Sequence, residues 1–157
     1  MRKQILIVAA GIILALALAT VAIAADAHDG TWKVNVAKSK YNSGPAPKSL
    51  VTKREAQANG IKTIFDGVDA DGKALHYEYT AKLDGKDYPV VGNPDFDSIM
   101  LKQVDANTID WVLKKSGKEI RRGQTVYSKD GKTRTQTEKG KNAKGQDYND
   151  AVVYEKQ

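Results

Sequence analysis

Between residues 74 and 82 the chain alternates in hydropathy. Leu75, Tyr77, Tyr79 and Ala81 fall on one side, and His76, Glu78, Thr80 and Lys82 on the other. A period of two with tyrosine and leucine on a single side predicts a half-buried β-strand. Asp71-Gly72 and Asp84-Gly85 bracket the run as turn signals. The same unit of alternating run and turn recurs at Ser116-Gly117, Asp130-Gly131 and Lys144-Gly145. Upstream, residues 30–37 place Trp32, Val34 and Val36 on one face. Asn59-Gly60 predicts a hairpin between residues 50–58 and 61–68. A three-residue link through Ala70, Asp71 and Gly72 then pairs Phe65 with Tyr77, Thr63 with Tyr79 and Gly67 with Leu75, which leaves Ile61, Phe65, Tyr77 and Tyr79 on the same face. Further runs follow at 86–91, 98–104, 108–115, 119–128, 133–139 and 147–156.

About nine strands at close to ten-residue spacing, with hardly a helical pattern after residue 25, predict an all-β fold. Short links make neighbours in sequence neighbours in the sheet. The expected architecture is an antiparallel up-and-down meander, closed or nearly closed into a barrel so that it presents no free edge. Residues 39–49 break the rhythm with Gly44, Pro45 and Pro47. Proline and glycine exclude a regular element there, so this stretch reads as a lid over the barrel or a plain crossover.

The first residues follow a different pattern. Arg2 and Lys3 precede a run from Ile5 to Ala25 that is apolar apart from Thr20, and Ala22-Ile23-Ala24 has the small-x-small form of a cleavage site. Residues 1–24 are therefore expected to be a signal peptide and residues 25–157 a single β-barrel domain. The rival reading is an uncleaved anchor, since the run is long enough to span a bilayer. The chain has no cysteine, which excludes disulfides and thiolate metal sites. A periplasmic or secreted protein is the expectation, and not an integral membrane protein once the signal is removed.

Charge is uneven along the chain. Residues 114–144 hold eleven Lys and Arg against three carboxylates, whereas residues 61–110 hold five Lys against ten Asp and Glu. Such a division orients a molecule at an anionic envelope surface, or simply solvates the wet faces of strands. The basic stretch has too few interleaved aromatics for a nucleic-acid platform.

Gly30-Thr31-Trp32-Lys33 resembles the opening Gly-x-Trp of lipocalins and the Gly-Thr-Trp-Lys start of fatty-acid-binding proteins. Val152-Val153-Tyr154-Glu155-Lys156 resembles the last strand of the latter. The resemblance covers both ends and the strand rhythm, and extends to a group of small exported bacterial β-barrels. It implies a calycin-like barrel with an apolar cavity, with Trp32 closing the floor beside Gly30. In fatty-acid-binding proteins an Arg-x-Tyr on the last strand holds the ligand carboxylate. Here Val152 and Tyr154 stand at those places, so the arginine is missing.

Arg122 is the most informative single candidate. If Ser116-Gly117 is a two-residue turn, Leu113 pairs with Ile120 and Trp111 with Arg122, on the apolar face. An unpaired guanidinium there costs on the order of several kcal/mol, so it needs a carboxylate, an aromatic face or a ligand anion. Stacking on Trp111 contributes about 0.5–2 kcal/mol. Arg122 is thus the candidate for an acidic head group. The alternatives are a structural ion pair, or a register that turns it outward. Tyr77, Tyr79, Tyr88 and Tyr154, with Phe65, line a pocket or pack as core aromatics. Thr133, Thr135 and Thr137 alternate with Arg134, Gln136 and Glu138, so neither side of that run is apolar; it lies at an exposed edge or faces a polar interior. Two acidic clusters, at residues 66–71 and 93–97, lack the full pattern of a calcium loop, and no metal or other cofactor is implied. No Gly-x-Ser-x-Gly, His-Glu-x-x-His or phosphate loop occurs, so the sequence offers no support for an enzyme.

The expected function is binding of a small hydrophobic or amphipathic ligand, acidic in one version, inside the barrel. The alternative is a protein-interaction or inhibitor module that uses its charged outer surface around a filled barrel.

Overall fold

A computed structural model describes residues 28–141 and 147–157. The signal-peptide expectation for residues 1–24 lies outside them. Ten antiparallel strands form a closed barrel, against about nine expected. They are β1 (Gly30–Val34), β2 (Ser49–Gln57), β3 (Gly60–Val68), β4 (Ala74–Ala81), β5 (Asp84–Val91), β6 (Ser98–Asp105), β7 (Thr108–Lys115), β8 (Lys118–Tyr127), β9 (Thr133–Lys141) and β10 (Asp147–Lys156). Each pairs with its neighbour in sequence, and β1 joins β10 to complete the cylinder. No helix among the described residues is long and apolar enough to cross a membrane.

The β3–β4 hairpin has the register that turn and pattern predict: Phe65 opposes Tyr77, Thr63 opposes Tyr79 and Gly67 opposes Leu75. The β4–β5 seam is the thinnest, with Glu78–Val91 and Tyr79–Val90 as its two register pairs. β1 is shorter than the alternation of residues 30–37 suggests. It stops at Val34, and a 3-10 turn (Val36–Lys38) follows. Asn35 causes the stop by accepting a hydrogen bond from the Lys38 N–H on its side-chain oxygen. Val36 is consequently exposed rather than on the inner face with Trp32 and Val34.

The larger departure is between β7 and β8. Ser116 and Gly117 both take positive φ, 50° and 76°, as a tight two-residue hairpin turn requires. Lys115 opposes Lys118 and Lys114 opposes Glu119, but Leu113 then opposes Arg121. One extra residue on β8, a β-bulge, moves every later residue to the other face. Trp111 therefore meets Gly123 instead of Arg122. The space there explains the choice: a Cβ on Gly123 would come within 2.3 Å of the Trp111 ring and 2.1 Å of the Thr137 carbonyl. Only glycine lets the indole lie against β8.

Candidate functional site

The floor of the barrel is a packed cluster around the first strand. Trp32 is fully buried, and its Nε1 donates to the His28 carbonyl at 3.0 Å. Tyr127 meets the Trp32 ring edge-on at 5.4 Å and stacks on His28 at 3.8 Å. The Arg134 guanidinium lies 5.2 Å from the Trp32 ring and 4.4 Å from the Tyr154 ring. Desolvated cation–π contacts of this kind contribute about 2 kcal/mol. Arg54, also buried, sits over Tyr127 at 5.9 Å and faces Asp29 at 3.8 Å. Gly30 opposes Arg54 across β1 and β2.

Above this floor lies a cavity of about 430 Å³. Its wall is two-sided. The strands from β3 to β7 contribute apolar and aromatic side chains, among them Phe65, Tyr77, Tyr79, Ile99, Leu101 and Trp111. Phe65 stacks on Tyr77 with centroids 4.4 Å apart, and Tyr77 meets Phe96 edge-on at 5.4 Å. The opposite side is polar. β9 turns Arg134, Gln136 and Glu138 inward, with Thr125 of β8 and Asp150 of β10 beside them. The run with no apolar face is thus one that faces a polar interior.

Burial pushes the hydroxyls of Tyr77, Tyr79 and Tyr154 above their usual pKa, so all three are neutral hydrogen-bonding groups. Burial likewise raises the Glu138 carboxyl; the Arg121 guanidinium, 3.2 Å away, opposes that shift and Asp150 adds to it.

The mouth is covered by residues 39–49. Lys40 pairs with Ala151 as an isolated bridge, and Tyr41, Ser43, Gly44, Pro45 and Pro47 all line the cavity. Asp150 tethers this loop. Its buried carboxylate accepts from Asn42 N–H at 2.6 Å and Ser43 N–H at 3.0 Å, and from the Ser43 hydroxyl.

Trp111, Tyr77, Tyr79, Tyr154 and Phe65 therefore all face one cavity, and Trp32 with Gly30 stands at its floor. Tyr88 does not join them; its hydroxyl donates to Asp84 at 2.9 Å. Arg122 does not face the interior either. The bulge turns it outward, where Nε and Nη2 donate to the two carboxylate oxygens of Glu119 at 2.6 and 2.7 Å. That pair holds the Glu119 carboxyl below its usual pKa. The interior cations are instead Arg134 and Arg54, with Arg121 at the rim. One sequence signal pointed to Arg134, the alternation of Arg134, Gln136 and Glu138 with threonines; none pointed to Arg54. No described protein family, curated protein or solved structure matches the chain.

Proposed function

We propose that the protein binds a small amphipathic acid inside its barrel and performs no covalent chemistry on it. The observation that carries this reading is Arg134 at the base of the cavity. It is 4% exposed, and its Nε and Nη2 have no hydrogen-bond partner among the described residues. These two atoms form one edge of the guanidinium. Arg122 uses that same edge to grip Glu119 with two parallel hydrogen bonds. A carboxylate on Arg134 would satisfy both donors where water does not compete. The apolar wall of β3 to β7 would take the hydrocarbon, and residues 39–49 would be the entrance.

The likeness of both chain ends to lipocalins and fatty-acid-binding proteins supports the same reading, as does the closed ten-strand barrel. We place the protein in the periplasm or outside the cell on the strength of residues 1–24. The lysines and arginines of residues 114–144 are suited to an anionic envelope surface.

Titration with a fluorescent long-chain carboxylate tests the proposal. Saturable one-site binding is expected, displaced by octadecanoate. Arg134→Met should weaken it at least about tenfold, the loss that goes with one charge-assisted pair. An undiminished affinity in Arg134→Met removes the acid from that site, and no saturable binding by the wild type rejects the reading.

A further inference from the structure

We infer that the guest is an acid carrying a second oxygen partway along its length, a hydroxylated or oxo long-chain acid rather than a plain one. This deepens the reading above and rests on it. The ground is the height at which polar groups stand on one wall of the cavity.

The interior rows can be followed across the strands. At the base, Tyr127, Arg134 and Tyr154 are neighbours on β8, β9 and β10. One row up come Ile109, Thr125, Gln136 and Val152. The next holds Trp111, Gly123, Glu138 and Asp150. A strand rises about 3.4 Å per residue, so Gln136 stands roughly 7 Å and Glu138 roughly 14 Å above Arg134. A plain acyl chain whose carboxylate sits on Arg134 would run past both. Glu138 keeps Arg121 at 3.2 Å, but such a chain would desolvate the Gln136 amide while offering it nothing, which opposes binding.

Trp111 adds an independent observation at the upper height. It lines the cavity and is 5% exposed, and its indole N–H has no acceptor among the described residues. Gly123 lets the Cε2–Cζ2 edge of the ring lie close against β8. An oxygen partway along the guest accepts from an indole or amide donor; a hydroxyl also donates to the Gln136 carbonyl. An extended chain advances about 1.2 Å per bond, so an oxygen near carbon 10, roughly 11 Å from the carboxylate, falls midway between the Gln136 row and the Trp111 row, roughly 3–4 Å along the wall from each.

The test is competition against a fluorescent long-chain carboxylate with two competitors, octadecanoate and 10-hydroxyoctadecanoate. In the wild type the hydroxy acid should displace the probe at roughly tenfold lower concentration, the effect of about one well-formed hydrogen bond. Gln136→Met, close in volume to the residue it replaces, and Trp111→Phe, which keeps an aromatic ring and removes the N–H, should each narrow that ratio to threefold or less, as about half of that contribution is removed. Equal or better displacement by octadecanoate in the wild type overturns the inference and leaves the acid-binding reading standing. A preference that survives both substitutions unchanged overturns it too, because the polar wall is then not its cause. Failure of both acids to displace the probe overturns both proposals.

Discussion

The two ends of the barrel are held by different physics. At the floor Trp32, Tyr127, Arg134 and Tyr154 are all buried, and the contacts are ring on ring and guanidinium on ring. At the mouth the loop of residues 39–49 is held by hydrogen bonds to β10: the Lys40–Ala151 bridge, the Asn42 amide on the Asn149 carbonyl, and the Asn42 and Ser43 N–H groups on Asp150. Packing of the first kind is lost only when the barrel comes apart. Hydrogen bonds that hold exposed residues such as Asn42 and Ser43 open locally without unfolding the whole. Under the proposed reading, the end tethered by residues 39–49 is the entrance.

Substitutions at the two ends should separate in size and in kind. Trp32→Ala opens a hole in the floor cluster and should cost about 3–5 kcal/mol of stability, seen as a large fall in the urea midpoint. Gly123→Ala should come next. Its Cβ would meet the Trp111 ring and the Thr137 carbonyl, and the overpacking should cost about 1–3 kcal/mol in the same measurement. At the mouth, Asp150→Ala removes the tether. Hydrogen exchange at the Asn42 and Ser43 amides should quicken about tenfold or more, with a smaller fall in global stability. Equal losses of stability from Trp32→Ala and Asp150→Ala would erase the distinction between the ends.

The pH dependence sharpens the same contrast. Glu138 has a raised pKa because burial disfavours its charged form. At neutral pH the folded protein bears that cost. As pH falls through the raised pKa toward the ordinary glutamate value, Glu138 takes up its proton more readily folded than unfolded, and its contribution to stability improves. Glu138→Gln cannot respond in this way. The stability of Glu138→Gln relative to the wild type should therefore be highest at pH 7 and decline toward pH 5, as read by urea unfolding at the two values. A constant difference would mean that Glu138 is not held in a desolvated wall.

The smallest effect belongs to Arg122. Its pair with Glu119 is solvent-exposed, with side chains 64% and 39% accessible. Arg122→Ala should change stability by at most about 0.5 kcal/mol and leave ligand affinity as it was.

That last expectation marks where sequence and structure part. The all-β barrel was legible, because alternation and turn residues are local and agree with each other. Phe65 opposite Tyr77 followed from one turn and one pattern. The aromatic lining followed for the same reason. Arg122 was misplaced because a bulge is a single inserted residue, and one residue reverses every face beyond it. What forces the bulge is the fit of Trp111 against Gly123, a contact between strands that no local window contains. Arg134 was hidden differently. Its side of β9 is polar, so hydropathy alone left that run either at an edge or inward. The pairing of β9 between β8 and β10 decides the matter.

The most direct test of a guest inside the barrel is to see which protons it touches. Octadecanoate added to isotope-labelled protein should give nuclear Overhauser contacts from its chain to the methyl groups of Ile99, Leu101, Ile109 and Leu113, all of which face the cavity. Contacts confined to the outward-facing Val91, Val104 and Val126, or none at a saturating concentration, would contradict the claim that the interior is the binding site.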